Sequence, residues 1–396
     1  MIPALRQDFN QRFTIARYHE FEREMADRCG TPVKFRLCET PCFFPKPLLD
    51  QMSQAGSDLI LQLTNSAEYH TISDSSIPAA FRVPNEPAHP MFVQVDFGLV
   101  RDTSGQLQPK LVELQAFPSL YAYQPVLAQT YMDVFGLEAD LQYFLSGLTA
   151  DSYHRVLSNA ILAGHDPEHV ILMEIDPLEQ KTLPDFLLTE CALGVPTVDI
   201  TDVRKEGRQL VYESHGRKIP IRRIFNRAIV DELERKNLNL RFRFTDDLDV
   251  EWAGHPNWFF RMSKFSIPYL RHEAVPQTRF LNQVKGIPED LDRYILKPLF
   301  SFAGLGVNIR PTPQDVAAIP PAERSQWILQ ERLDFTPVIE TPHGTTKAEV
   351  RIMYIWDKEL LPVLVIMRLG RGAMMGVDHN KDMEWVGSSA ALYLSG

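Results

Sequence analysis

Apolar and polar residues recur along this chain with two periods, and the period predicts which segments are helices and which are strands. Residues 5–29 place apolar side chains at helical spacing and predict one amphipathic helix. The segment VKFRL predicts a short strand after that helix, and residues 40–90 are rich in proline and serine, with short helical pieces. Residues 119–148 and 151–163 are predicted to be helical.

The segment KLVELQAF, residues 110–117, predicts a strand with one polar face. Glu113 and Gln115 lie two positions apart, so a strand places both side chains on one face. Two polar groups that face inward cost free energy unless something binds them. The opposite face is expected to carry the apolar side chains of Val112, Leu114 and Ala116.

A second strand, MFVQVDFGLV at residues 91–100, precedes this one, and the turn-rich segment RDTSGQLQP between them predicts a hairpin. Gln94 and Asp96 share a face of the earlier strand. If the two polar faces coincide, Asp96, Glu113 and Gln115 converge. Carboxylate and amide oxygens are the ligands that magnesium takes when it is shared with phosphates. The alternative is a polar hairpin face that points to solvent.

From about residue 168 onward, strands and helices alternate. HVILMEID and VPTVDI predict strands with a helix between them, and such a unit belongs to a parallel or mixed sheet. Residues 256–283 are predicted to be mainly helical. The predicted class is α/β or α+β with several sub-domains. Most of the remaining segments predict strands: RYILKPL, GVNIRP, QWILQERL, KAEVRIMYIW and LLPVLVIMRL.

Composition narrows the function classes. The 396 residues are 44% hydrophobic and carry a net charge of −10, and no run of basic residues indicates a nucleic-acid partner. The longest apolar run, residues 360–367, is too short to span a membrane, and the N-terminus does not resemble a signal peptide. Four cysteines are too few for a disulfide framework, so the cytoplasm is expected. Cys38 and Cys42 lack a second Cys/His pair with metal-binding spacing, which disfavours a metal site there.

The segment RYILKPLFSFAGLGVNIRP, residues 293–311, is the strongest local signal. A strand ends at Lys297, and Gly304 and Gly306 in the loop after it let backbone amides approach a ligand closely. Ser301 adds a hydroxyl, and amides together with a lysine suit a polyphosphate. No GK[ST] follows, so the segment is not a Walker loop. The alternative is an ordinary hairpin loop with a surface lysine.

Two other strands carry candidate contacts. In SQWILQERLDF the apolar strand runs into Gln330 and Glu331, a donor and acceptor pair that suits an adenine edge. A solvated strand terminus is the alternative. Arg351 and Arg368 stand within otherwise apolar strands, where an arginine needs an anionic partner from the protein or from a ligand.

Together these residues resemble the ATP-grasp superfamily: a strand lysine, a glycine loop, a Gln-Glu hinge, an arginine strand and a carboxylate strand. The carboxylate strand, Glu113-Leu114-Gln115, lies before the glycine loop rather than after the arginine strands, which is typical of a circularly permuted ATP-grasp. The resemblance extends to the synthetase domain of glutathionylspermidine synthase and covers most of residues 90–370. The glycine loop and the hairpin are its specific parts.

The resemblance implies a fold in which a nucleotide is held between two sheet-containing sub-domains. Residues 1–150 would carry the metal-binding hairpin, residues 151–255 an α/β sub-domain, and residues 256–396 the nucleotide-binding lobe with a glycine-rich lid. The segment RMSKFSIPYL resembles the family helix that carries a first phosphate lysine, here Lys264. The remaining cofactor-binding positions would be Lys297, Ser301, Phe302, Ala303, Gly304, Gly306, Gln330 and Glu331.

The implied function is an ATP-dependent carboxylate–amine ligase that works through an acyl phosphate on small amino acid, peptide or polyamine substrates. The implied cofactors are ATP and about two Mg²⁺ ions, held by Asp96, Glu113 and Gln115. Arg351 would stabilise the transferring phosphoryl group, and Lys297 would act beside it. The alternatives are a small-molecule kinase of the same superfamily and a nucleotide-binding protein without ligase activity.

Two positions depart from the family pattern. Gln115 stands where the family has asparagine, and Gln94 stands where it has a substrate-side arginine. Arg222, Arg223 and Arg227 are candidates for receiving an acidic substrate, although solvated or salt-bridged strand ends are favoured. His272 and His379 are expected to be structural or surface groups rather than acid–base catalysts.

Overall fold

The computed structural model describes residues 1–300, 305–376, 380 and 382–395. Caps set both ends of the helix over residues 15–29: Thr14 accepts a hydrogen bond from the backbone of Arg17, and Gly30, with φ of 68°, ends the helix. The helices are α1 (Pro3–Arg12), α2 (Ile15–Cys29), α3 (Lys46–Thr64), α4 (Ala67–Ser73), α5 (Tyr123–Phe135), α6 (Ala150–Leu162), α7 (Leu183–Leu193), α8 (Val230–Lys236), α9 (Pro256–Arg261) and α10 (Pro313–Ala318).

The strands follow the apolar and alternating segments of the sequence. They are β1 (Cys42–Phe43), β2 (Phe92–Arg101), β3 (Leu107–Gln115), β4 (Leu141–Gln142), β5 (Val170–Glu174), β6 (Thr197–Asp199), β7 (Arg204–Glu206), β8 (Gln209–Ser214), β9 (Arg217–Ile221), β10 (Arg223–Asn226), β11 (Glu251–Ala253), β12 (Thr278–Phe280), β13 (Tyr294–Pro298), β14 (Trp327–Glu331), β15 (Ile339–Thr341), β16 (Gly344–Trp356), β17 (Leu360–Gly370) and β18 (Gly387–Leu394).

The largest sheet joins the front and the end of the chain. Its strand order is β1-β18-β17-β16-β2-β3, with β15 added to β16 and β4 added to β18. The predicted hairpin β2–β3 pairs antiparallel with β16, whose partner on the other side is β17. Helix α3 packs its apolar face on this sheet in one buried cluster, which includes Leu59, Val95 and Ile352.

The middle of the chain forms a parallel sheet in the order β11-β10-β5-β6. Strand β5 is buried at every position, as expected for a parallel strand that is covered on both faces. Helix α7 lies between β5 and β6 in the chain, which confirms the predicted αβ unit. An antiparallel sheet, β7-β8-β9, follows β6 directly along the chain, and its apolar face packs with β5 and β10 in one core cluster.

A small antiparallel sheet, β12-β14-β13, carries the strand that ends in Lys297. It stands opposite β3: the edge of β3 hydrogen-bonds to the segment before β12, with Leu111 N donating to Ala274 O at 2.7 Å and Ala116 N to Met262 O at 3.1 Å. The space between this sheet and the large sheet is the cavity in which the predicted site residues meet.

Several predicted boundaries are wrong. Residues 5–29 form two helices, because Thr14 is extended and caps the second. VKFRL is not a strand; its one sheet contact is a bridge from Leu37 to Ser388. GVNIRP likewise contributes a single bridge, from Asn308 to Leu296. The helix predicted over 119–148 covers only α5, because Gly136 ends it in a left-handed conformation.

Residues 256–283 also differ from the prediction. They contain the short helix α9, a 3₁₀ segment at Lys264–Tyr269 that includes Pro268, and the strand β12, because a proline inside the segment removes a backbone donor and prevents a longer helix. Within the described residues, no helix combines the length and the apolar character needed to cross a membrane.

Candidate functional site

The register of the large sheet brings the predicted polar faces together. Asp96 lies opposite Glu113, and Gln94 lies opposite Gln115, so the two faces of the hairpin coincide. On its other side, Asp96 lies opposite Arg351 in β16. Asp96, Glu113 and Gln115 all line one cavity of about 850 Å³. The convergence that the sequence predicted is therefore present.

A β-bulge changes one detail of the hairpin. The register shifts between Asp96 and Phe97, so that Phe97 pairs with Leu111 and Val112 is the extra residue. Val112 consequently lines the cavity beside Glu113, whereas Leu111 and Leu114 are fully buried in the core. The prediction that Val112 lies on the apolar face is wrong, because strict alternation holds only where the ladder is regular.

Arg351 links the polar residues of the hairpin. Its Nε donates to Asp96 Oδ1 at 2.5 Å, and one terminal nitrogen donates to Asp96 Oδ2 at 2.6 Å, a bidentate pair. The other terminal nitrogen donates to Gln94 Oε1 at 2.8 Å. With its amide oxygen facing Arg351, Gln115 accepts from both terminal nitrogens, at 3.0 and 3.1 Å. The anionic partner that Arg351 requires therefore comes from the protein.

Arg368 in β17 makes a second buried ion pair at the same place. It donates to Asp96 Oδ2 at 3.1 Å and to Glu349 Oε1. Burial favours a raised pKa for Asp96, but the charges of Arg351 and Arg368 outweigh it and hold that pKa below its usual value. Burial raises the pKa of Glu349, against the opposing effect of Arg368. Asp96 is thus a carboxylate held between two guanidinium groups.

Two buried lysines stand beside this cluster. Lys264 Nζ lies 3.3 Å from Glu113 Oε1, and Lys297 Nζ donates to Val112 O at 3.3 Å. Both side chains line the cavity although each residue is less than a tenth exposed. Burial lowers the pKa of Lys297 to about 8, with Glu113 opposing that shift and Lys264 adding to it. A buried cation of this kind is stabilised by an anion that enters the cavity.

Gln330 lies at another wall of the cavity, at the end of β14. Within the part of the chain that the structure describes, neither its Oε1 nor its Nε2 has a hydrogen-bond partner, although the residue is only 2% exposed. A buried amide without a partner costs free energy that a ligand can recover. Apolar side chains line the same cavity, among them Ile295, Leu299 and Val307.

Of the other residues predicted to contact a nucleotide, Glu331 lines the cavity and Gly306 does not. Glu331 lines the cavity, but its carboxylate also faces Arg293 at 3.6 Å. Gly306 has φ of 72°, and a Cβ there would lie 3.1 Å from Pro298, so the loop needs glycine at this position. Gly306 is not among the residues that line the cavity. The remaining predicted loop residues, and the histidine discussed with them, lie outside the described residues: Ser301, Phe302, Ala303, Gly304 and His379.

Two of the three arginines that were candidates for an acidic substrate bind groups of the protein instead. Arg223 donates to Ala160 O and Ile161 O at the end of α6 and pairs with Glu251. Arg227 donates to Pro118 O and pairs with Asp185 at 3.2 Å. Arg222 does not line the cavity.

His272 also has a local structural role. Its Nδ1 accepts from Ala274 N at 3.0 Å, and it does not line the cavity. This placement agrees with the structural role expected from the sequence.

Sequence reasoning missed Glu349 and Lys347. Both lie on β16 at positions that alternate with Arg351, and all three line the cavity. The period-two argument that paired Glu113 with Gln115 applies equally to KAEVR, so the same signal was available.

The charge of the cavity differs in sign from that of the chain. Among the described residues that line it, eight are lysine or arginine and five are aspartate or glutamate, whereas the whole chain carries −10. An excess of cations in a partly closed cleft attracts anions. The basic side chains are Lys181, Lys264, Lys297, Arg310, Arg332, Lys347, Arg351 and Arg368.

Comparison with known proteins identifies a shared fold. No family model matches the chain, and no curated protein is similar to it in sequence. A solved structure is similar: a glutathione synthetase-like effector, GSS30, from Globodera pallida, in its apo form, with 13% identity and a TM-score of 0.62 over 96% of each chain. The two proteins share a fold. At this identity the similarity shows the fold alone, and chemistry must be argued from the site.

Of the three hairpin side chains that the resemblance assigns to magnesium, two are bound by Arg351 and one is not. Asp96 and Gln115 are engaged by Arg351, whereas the Glu113 side chain is 29% exposed to the cavity and faces Lys264. Among the residues that the structure describes, no group of three or more His, Cys, Asp or Glu side chains is arranged to hold a metal ion. Magnesium is commonly held by one or two carboxylates together with substrate phosphates and water, and Glu113 satisfies that requirement.

Proposed function

We propose that the protein is an ATP-dependent ligase that joins a carboxylic acid to an amine through an acyl phosphate. The observation that carries this proposal is the pair of buried lysines, Lys264 and Lys297, in the same cavity as the unpartnered amide of Gln330. Such a cavity suits a ligand with an anionic end and a hydrogen-bonding planar end. Many kinds of protein bind ligands of this type. The fold shared with a glutathione synthetase-like protein favours a ligase over the other kinds.

The nucleotide would bind with its base at Gln330. The side-chain amide offers one donor and one acceptor, which match the donor and acceptor pattern of an adenine edge. Apolar residues of the same cavity, including Ile295 and Leu299, would contact the faces of the base. Glu331 would remain at the rim beside Arg293.

The phosphates would lie along the lysines. Lys264 and Lys297 supply two positive charges. Their attraction for a phosphate is stronger than in water because the buried environment has a low dielectric constant. A magnesium ion on Glu113 would neutralise further phosphate charge. The glycine-loop residues that the resemblance assigns to the γ-phosphate, residues 301–304, lie outside the described part of the chain.

The proposed reaction needs no covalent bond between a substrate and the protein. A carboxylate oxygen of the acid attacks the γ-phosphorus, the bond to the β-phosphate oxygen breaks, and an acyl phosphate and ADP result. The amine nitrogen then attacks the acyl carbon, phosphate leaves, and the ammonium proton is released. The protein contributes by positioning the reactants and by stabilising charge.

The strand order supports the permuted form of the ATP-grasp fold. The carboxylate strand β3 belongs to the front of the chain, yet β2 beside it pairs with β16 near the end. A circular permutation requires that the carboxylate hairpin precede the lysine strand in the sequence. It also requires that the hairpin pair with the arginine strands in the folded sheet. The division into residues 1–150, 151–255 and 256–396 remains part of this proposal.

A second candidate is nucleotide binding without ligation. One observation favours it: Asp96 and Gln115, two of the three predicted metal positions, bind Arg351 instead. A protein with fewer metal ligands has less means of stabilising a phosphoryl group in transfer. This candidate predicts ATP affinity with no turnover.

One assay separates these functions. The protein is incubated with Mg-ATP and pools of amino acids, small peptides and polyamines, and ADP, phosphate and products are followed. ADP and phosphate with a condensed product support the ligase. A phosphorylated product without free phosphate would identify a kinase, and ATP binding without turnover in any pool would identify the second candidate. The cationic cavity favours acidic amino acids and peptides over polyamines as substrates.

A further inference from the structure

We propose that Arg351 takes the place of a second magnesium ion, so that this protein binds its nucleotide with one divalent cation. The inference rests on the proposed nucleotide site and concerns how the chain supplies positive charge there. The resemblance implies about two ions on Asp96, Glu113 and Gln115. In the structure the guanidinium of Arg351 hydrogen-bonds two of these three side chains, Asp96 and Gln115.

The hydrogen bonds of Arg351 show that it is built into the site. A guanidinium has five N–H donors. Its Nε and one terminal nitrogen bind the two oxygens of Asp96, the other terminal nitrogen binds Gln94, and the two remaining donors reach Gln115 at 3.0 and 3.1 Å. All five donors therefore have acceptors within the protein. Arg351 has no donor left for a phosphoryl group, and its role is to position the hairpin.

The two departures from the family pattern fit this arrangement. Gln94 and Gln115 lie opposite each other in the sheet, and both amides turn toward the same guanidinium. An arginine at position 94 would place a second guanidinium against Arg351. A shorter asparagine at position 115 would end one methylene further from it. The glutamines and Arg351 thus form one hydrogen-bonded unit.

A metal ion at this position would have to displace a buried cation. Asp96 is 3% exposed and already balances Arg351 together with Arg368. Removing one partner from a buried ion pair leaves an uncompensated charge, which is strongly unfavourable. Glu113 does not contact Arg351, and it remains accessible from the cavity. The structure therefore keeps one carboxylate for a metal and commits the other to arginine.

The first test counts metal ions in the full-length protein. Mn²⁺ replaces Mg²⁺ as an EPR-active probe, ADP replaces ATP to prevent turnover, and bound Mn²⁺ and ADP are measured after equilibrium dialysis. The expected result is one Mn²⁺ for each bound ADP. Two Mn²⁺ for each bound ADP would overturn the inference while leaving the proposed function intact. Absence of ADP binding would overturn the proposed function, and the inference with it.

The second test changes the arginine. In Arg351→Ala, Asp96 and Gln115 lose their shared donor, so the Mn²⁺ count is expected to rise from one to two, and ADP affinity is expected to recover as Mn²⁺ is raised. The matched control is Arg371→Ala, whose guanidinium binds Thr346 and Glu384 away from the cavity; its count should stay at one. A count of one in both variants would overturn the role given to Arg351.

Circular dichroism of each variant establishes that it is folded before metal is counted. If Arg351→Ala does not fold, the count on the unmodified protein decides the inference by itself. Arg351→Lys then serves as the second variant, because a lysine keeps the charge but cannot make five directed hydrogen bonds. It is expected to bind ADP with one Mn²⁺, more weakly than the unmodified protein.

Discussion

At the scale of single residues, Lys297 is a buried lysine whose charge is costly to the folded protein. Its ammonium group is buried, and burial lowers its pKa to about 8 because water no longer solvates the charge. The pKa in the unfolded chain is higher, so near pH 7 the folded state holds this proton less firmly than the unfolded state does. The charged side chain therefore destabilises the folded protein when no anion is bound beside it.

Replacing Lys297 with methionine should separate binding from stability. A methionine keeps the apolar stem and removes the charge, so the melting temperature of the apo protein is expected to stay the same or to rise. ATP affinity is expected to fall about 10- to 100-fold, the effect of losing a charge-assisted hydrogen bond of roughly 1.5–3 kcal/mol. Isothermal titration calorimetry and thermal melts measure the two effects.

The control for this prediction is Lys285→Met, which changes an exposed lysine of the same segment of the chain. It should leave ATP affinity unchanged. Equal loss of affinity in both variants, or full affinity in Lys297→Met, would contradict the assignment of Lys297 to the phosphates.

Glu174 provides a pH-dependent test at the end of β5. Burial raises its pKa to about 8, although Arg227 and the backbone of Ile175 oppose the shift. The folded protein thus binds a proton that the unfolded chain releases near pH 4.5, and the stability contributed by this group is complete below that pH and is lost as the pH rises toward 8. Glu174→Gln should flatten this decline and raise the melting temperature at pH 8 by a few degrees.

Thermal melts at intervals between pH 5 and pH 8.5 measure this effect. The variant and the unmodified protein should agree most closely at the acidic end of the range and differ most at pH 8.5. A constant difference across the range would show that Glu174 does not titrate in it. Glu179→Gln, on the exposed surface nearby, is the control.

At the scale of elements, the packing of α3 on the large sheet depends on a missing side chain. A Cβ built on Gly56 would lie 2.1 Å from the hydroxyl of Tyr354 in β16. Real Cβ atoms do not approach other atoms so closely, so the helix or the tyrosine would have to move. The helix accepts a glycine in its interior because this close approach to the sheet requires one.

Gly56→Ala is therefore expected to destabilise the protein by about 1–3 kcal/mol, the usual cost of overpacking, although alanine is the better helix former. Urea denaturation measures the change. Tyr354→Phe removes the atom nearest the new methyl group, so the double variant should lose less stability than the sum of the two single changes. Additive losses would show that the two residues do not meet.

At the scale of the whole molecule, a buried ion pair beside the parallel sheet also hydrogen-bonds the segment that follows β3. Asp185, at the start of α7, accepts from Leu120 N and Ala122 N, both at 2.9 Å, and pairs with Arg227 at the end of β10. Arg227 in turn donates to Pro118 O. The segment that follows the hairpin β2–β3 is thereby attached to the neighbouring layer.

Asp185→Ala should cost about 3–5 kcal/mol, because it leaves Arg227 buried without a counter-ion and removes the acceptor of three backbone amides, those of Leu120, Ala122 and Tyr123. The comparison is Asp247→Ala, which breaks an exposed pair with Arg208 and should change the stability much less, because water solvates both charges. Urea denaturation of both variants measures the difference. Similar losses in the two variants would contradict the tethering role.

Much of the candidate site follows from local patterns. Eight of the predicted site residues line one cavity although they are spread from position 96 to position 351. Alternation within strands predicted that Glu113 and Gln115 share a face. A charged residue within an otherwise apolar strand indicated Arg351. The boundaries of helices were less accurate, since a single residue such as Thr14 or Gly136 decides them.

The sequence by itself determined the kinds of element, the hairpin and the polar positions on it, because side-chain period and turn residues act over a few neighbouring positions. Only the tertiary structure decided what those positions bind. The bulge at Val112, the partners of Asp96 and the five acceptors around Arg351 depend on strands far apart in the chain. A hydrogen bond requires a distance and an angle, and those are set by the sheet register rather than by any local pattern.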